Sequence, residues 1–109
     1  MIEFLFWEGC PSHERALSDL TALLDEYEIP RDRLRVTEVL TDADAQREHF
    51  IGSPTIRVNG TDIVDPGDSP FALDCRIYYR GDGKVSPLPD HDVVRAAIAS
   101  YATNTTTGT

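Results

Sequence analysis

Apolar positions fall into blocks whose period changes along the chain, and each change marks a new element. Residues 2–7 (IEFLFW) form an apolar run rich in aromatics, short enough for a buried strand. From Pro11 to about Tyr27 the apolar residues recur at Ala16, Leu17, Leu20, Leu23, Leu24 and Tyr27, the spacing of an amphipathic helix. Pro11 takes the first helical position, where a missing N–H costs nothing. Ile29-Pro30 ends the helix, because the residue before a proline avoids helical geometry. Residues 34–40 read as a second strand. Thr41-Asp-Ala-Asp44 has the spacing of a capping box and opens a short helix through about His49.

The second half turns more often. Ile56-Arg57-Val58 and Thr61-Asp62-Ile63-Val64 flank Asn59-Gly60, the strongest two-residue hairpin signal. The implied register sets Val58 against Thr61, Arg57 against Asp62 and Ile56 against Ile63, so each residue meets a compatible partner. Residues 65–72 are a loop of turn formers. Residues 73–79 alternate with Leu73, Cys75, Ile77 and Tyr79 on one face, which reads as a further strand. Gly81-Asp-Gly83 turns the chain, and Asp90 caps a last helix carrying Val93, Val94, Ala97, Ile98 and Tyr101 on one side. The polar end, NTTTGT, reads as a flexible tail, which gives a domain over 1–103 followed by 104–109. The order β-α-β-α-β-β-(β)-α predicts an α/β domain with a central mixed sheet of four to five strands. A parallel pair lies at its centre, and helices cover both faces.

Composition narrows the function. With 109 residues, 40% of them hydrophobic and 27% charged, the chain is sized for one folded domain rather than a disordered segment. Its formal net charge of −9 argues against nucleic acid and against anionic membranes as partners. No apolar run approaches the roughly 18–20 residues of a membrane span. The apolar start carries Glu3 and Glu8 and no basic leader, so the expected setting is the cytoplasm. A monomer or weak dimer is expected, with no bound cofactor or metal.

Chemistry concentrates at the two cysteines. Cys10 sits where a buried strand gives way to a helix, and a helix N-terminus lowers a thiol pKa through its dipole and unpaired N–H groups. Thiolate is the reactive form. His13, one turn on, would raise the local positive charge if cationic or take the proton if neutral. It also reads as a plain solvated residue of the first turn. Cys75 reads either as a partner thiol for Cys10 or as a core-facing residue beside Leu73 and Ile77. As the fifth strand it would lie about 14 Å laterally from β-strand 2–7, at about 4.8 Å per strand, unless the 65–74 loop curls over the site. Asp74 would add a carboxylate to two thiols, a set suited to a soft metal such as mercury. His49 and His91 read as helix-end residues.

A strand, then Trp7-Glu-Gly-Cys10-Pro-Ser-His13, a helix, and later Ser53-Pro54-Thr55 before a hairpin resemble the thioredoxin-like superfamily. The resemblance spans about residues 2–101. It implies that Cys10 matches the attacking cysteine and Pro54 a cis-proline facing it. Ser53 would then offer backbone groups to a substrate strand, with Trp7, Pro11 and Thr55 lining the substrate site. Where the family has a second cysteine this chain has His13, so Cys10 works either as a monothiol or with Cys75 as its resolving partner. Leu73-Asp-Cys75-Arg-Ile-Tyr78 adds a likeness to short bacterial thioredoxin-like proteins sometimes described as alkylmercury-lyase-like. The implied activity is thiol–disulfide exchange on a protein or low-molecular-weight thiol or disulfide. Soft-metal capture, or a redox-inactive binding module, is the alternative.

Overall fold

Strand β1 (Ile2–Phe6) takes the first apolar run, and its alternation sets the layers of the domain. Ile2 and Phe4 point to one face and Leu5 to the other, and all three are fully buried. The protein is described by a computed structural model over residues 1–65, 67–79 and 82–107. β1 pairs in parallel with β2 (Leu34–Glu38) and antiparallel with β3 (Thr55–Val58). β4 (Thr61–Asp62) returns along β3, which completes a four-stranded mixed sheet in the order β2-β1-β3-β4. The Asn59-Gly60 turn holds the expected register, with Val58 opposite Thr61 and Arg57 opposite Asp62, while Ile63 N–H donates to the Ile56 carbonyl.

Three helices cover this sheet. α1 (His13–Glu26) is the crossover from β1 to β2, and with α3 (His91–Thr107) it buries the Ile2/Phe4 face. Leu20, Leu24, Ile56 and Ile98 lie fully inside this layer, each side chain worth about 1.5–3 kcal/mol of burial. α2 (Asp42–Glu48) covers the opposite face, where Leu5, Val39, Ala45 and Phe50 pack with half-buried Trp7 and Leu73. Its cap forms as the sequence reads: the Thr41 hydroxyl accepts from Asp44 N–H at 3.1 Å. Asp90 likewise accepts from Asp92 N–H at the start of α3. The backbone of α3 continues to Thr107, into the segment read as a polar tail, and residues 108–109 lie outside the described range. No helix among the described residues is long and apolar enough to cross a membrane.

Three expectations are corrected. α1 begins at His13, so Pro11 is not its first residue; Pro11 lies exposed in a turn ahead of the Ser12 cap. Residues 73–79 do not form a fifth strand of the sheet. Tyr78–Tyr79 (β5) pairs with Val85–Ser86 (β6) in a separate hairpin, and Cys75 makes a single parallel bridge to Ser53. The Gly81 half of the turn between these strands lies outside the described residues. The buried parity is also reversed. Arg76 and Tyr78 face inward, while Cys75, Ile77 and Tyr79 face out. Polar groups carry this inversion, since Arg76 meets a carboxylate and Tyr78 a carbonyl, so both can be buried against the apolar pattern.

Candidate thiol site

The turn between β1 and α1 fixes Cys10 from both sides. Its N–H donates to the Trp7 carbonyl at 3.1 Å, and its own carbonyl accepts from His13 Nδ1 at 2.7 Å. A carbonyl only accepts, so Nδ1 of His13 carries the proton there. The imidazole also stacks on Phe6, with ring centroids 4.6 Å apart. His13 therefore holds the Cys10 backbone and does not reach its sulfur. Gly9 is required at this turn: an added Cβ would fall 2.4 Å from the Trp7 indole. Ser12, which the sequence reading passes over, is the side chain beside the sulfur, with its hydroxyl 3.3 Å from Cys10 Sγ.

The second wall is the loop before β3. The Ser53–Pro54 peptide is cis, and Ser53 and Pro54 are both fully buried. Cys10 S–H donates to the Ser53 carbonyl at 3.7 Å. Thr55 is not a substrate contact. It is fully buried, donating to the Gly52 carbonyl at 2.6 Å and accepting from Arg76.

The third wall is the surprise of the molecule for a reader of its sequence. Residues 67–74 curl back over the site. Ala72 N–H donates to the Phe50 carbonyl, Gln46 to the Phe71 carbonyl, and His49 stacks on Phe71 at 4.8 Å. Residues 74–76 then lie alongside Ser53 in a single parallel bridge. Ser53 N–H donates to the Asp74 carbonyl at 2.8 Å, and Arg76 N–H donates to the Ser53 carbonyl at 2.9 Å. Both backbone groups of Ser53 that the resemblance assigns to a substrate strand are thus taken by the chain itself. Arg76 locks this segment down. Its buried guanidinium reaches the Asp62 carboxylate at 2.7 Å and the Val64 carbonyl at 2.9 Å, and lies over the Tyr78 ring. Tyr78 donates to the Pro54 carbonyl, and burial pushes its phenol well above the ordinary range.

Residues 74–76 bring the second thiol to the residue that holds the first. Cys75 is exposed rather than core-facing and bridges Ser53, whose carbonyl accepts from the Cys10 thiol. Hydrogen bonding toward Cys10, followed by desolvation and the negative charges of Cys10 and Asp74, pushes Cys75 up to about 11. Cys10 is 1% exposed, yet the groups on its sulfur are polar, a hydroxyl and a carbonyl. Both cysteines are free thiols. Asp74 turns its carboxylate to the Cys75 N–H at 2.8 Å. Among the described residues no three His, Cys, Asp or Glu side chains gather to hold a metal ion, so Asp74 does not complete a three-ligand set with the thiols.

Geometry and chemistry define two free thiols, from distant parts of the chain, that converge on Ser53 in an α/β domain. No family model matches the chain, and neither the search of curated proteins nor that of solved structures returns a match.

Proposed function

We propose that this protein is a thioredoxin-like thiol–disulfide oxidoreductase whose working pair is Cys10 and Cys75. One observation carries the reading: two free thiols far apart in sequence converge on Ser53, at a cis Ser53–Pro54 peptide. The order of elements adds support, since a parallel β1/β2 pair with an α1 crossover is followed by a cis-proline loop and an antiparallel hairpin.

The reaction cycles the pair between dithiol and disulfide. As a Cys10–Cys75 bond forms, two electrons pass to an external disulfide, which leaves as two thiols; an external thiol pair runs the cycle back. Ser12 serves the buried sulfur, because its hydroxyl donates to Cys10 when that sulfur is a thiolate. His13 holds the turn that presents it.

Turnover of a small disulfide with excess thiol tests this reading. Wild type accelerates the exchange, and Cys10→Ser abolishes the acceleration. Cys75→Ser separates a dithiol pair, which loses turnover, from a monothiol Cys10, which keeps it. A wild type no faster than the uncatalysed exchange sinks the proposal.

A further inference from the structure

Resting on that reading, we propose that Cys75 is the sulfur that meets the external partner, that Cys10 is the buried one that resolves it, and that the partner is a low-molecular-weight thiol or disulfide. This exchanges the roles the resemblance implies.

Access decides the first half. Cys10 is 1% exposed, held between Ser12 and Ser53, whereas Cys75 faces solvent. Exchange requires in-line approach to the sulfur that is attacked or attacks, and in the closed molecule only Cys75 offers it. The Ser53 edge decides the second half. An extended protein substrate would need Ser53 N–H and C=O, and residues 74–76 already hold both. Their release would also uncouple Arg76 from Asp62 and Val64. What remains open beside Cys75 is a cavity of about 500 Å³ bordered by Ile51, Asp74, Ile77 and Tyr79. That volume lies within the range that takes small molecules.

The steps balance. Cys10 first releases its proton to solvent, and its thiolate takes the proton of Cys75 as Cys75 attacks one sulfur of an external disulfide RSSR. The external S–S bond breaks, RS⁻ departs, and a Cys75–SR mixed disulfide is left. RS⁻ removes the proton from Cys10, whose thiolate then attacks the Cys75 sulfur and expels the second RS⁻, which is protonated from solvent. The external disulfide has gained two electrons and the protein pair has lost them. In the reverse direction, RS⁻ attacks Cys75 of the protein disulfide and Cys10 leaves as the thiolate beside Ser12.

Full-length wild-type protein tests the assignment without substitutions. The protein is first oxidised with cystamine and peptide-mapped. Failure to recover a Cys10–Cys75 disulfide overturns the reading under Proposed function itself. The oxidised protein is then mixed with cysteamine, quenched in acid within the first turnover and mapped again. The proposal expects the cysteamine adduct mass on the Cys75 peptide and its absence from the Cys10 peptide. Adduct on Cys10, or divided equally between the two, overturns the entry role of Cys75. Paired rates complete the test: the reduced protein should reduce cystamine and lose most of that activity when insulin disulfides replace it. Equal rates on the two substrates overturn the restriction to small partners.

Discussion

Closing the Cys10–Cys75 bond should stabilise the fold by an amount that follows from the chain path. Both cysteines already meet at Ser53 in the dithiol, so the bond forms without dismantling the 74–76 segment or its Arg76 lock. The gain is then set by the loop it closes. A link across about 65 residues removes about 14–15 cal/mol/K of unfolded-chain entropy, about 4 kcal/mol at 25 °C. With a urea dependence of about 1–2 kcal/mol/M for a domain of this size, the denaturation midpoint should rise by about 2–4 M on oxidation. The same free energy appears in the redox couple. A stabilisation of about 4 kcal/mol makes the folded disulfide harder to reduce than the unfolded one by about 90 mV. Urea titrations of the oxidised and reduced protein, followed by far-UV circular dichroism, read the first quantity directly. Coincident midpoints, or an oxidised form that unfolds first, would refute the placement of the two thiols.

Three further outcomes follow from particular contacts. Arg76→Ala strips the partner from Asp62, whose side chain is only 11% exposed, and should cost about 3–5 kcal/mol in urea denaturation; a loss below about 1 kcal/mol would remove the locking role of Arg76. Gly9→Ala drives a methyl into the Trp7 ring, so it should cost about 1–3 kcal/mol and shift the emission of Trp7, the one tryptophan of the chain; an unchanged spectrum contradicts the packing. The reduced protein should also lose stability at alkaline pH. Cys75 is raised in the folded state from 9.0 to about 11, so its contribution is whole below pH 9.0 and disappears as the pH climbs to about 11. Cys75→Ser should flatten that part of the stability profile, and an identical alkaline decline in both proteins argues against the thiol–thiol contact.

Much of the fold was readable in the residues because local signals and tertiary demands agree there. The apolar run of β1, the three-four spacing of α1, the Thr41 cap and the Asn59-Gly60 hairpin each report a single physical cause, and each appears where its cause puts it. Residues 73–79 defeated the same logic. Their alternation placed Leu73, Cys75, Ile77 and Tyr79 inside, but hydropathy does not register that Arg76 and Tyr78 have partners waiting in Asp62 and the Pro54 carbonyl. Arg57 opposite Asp62 also looked sufficient for that carboxylate. In fact Arg57 turns to the Glu48 and His49 carbonyls at the end of α2, which leaves Asp62 to Arg76. The site was half readable for a related reason. Cys10 and Pro54 stand beside strong local landmarks, whereas the meeting with Cys75 depends on a loop of turn formers whose path is fixed by Phe50, Gln46 and His49. Ser12 could have been found by asking which polar side chain follows Cys10 closely enough to touch its sulfur.

The central claim is that Cys10 and Cys75 act as one redox unit. Equilibration of the protein across a series of reduced and oxidised glutathione ratios, followed by acid quench and intact-mass and peptide analysis, tests it most directly. The account predicts one two-electron transition in which both thiols vanish together and a Cys10–Cys75 linked peptide takes their place. Two cysteines that acquire glutathione independently, with no linked peptide at any ratio, would contradict it.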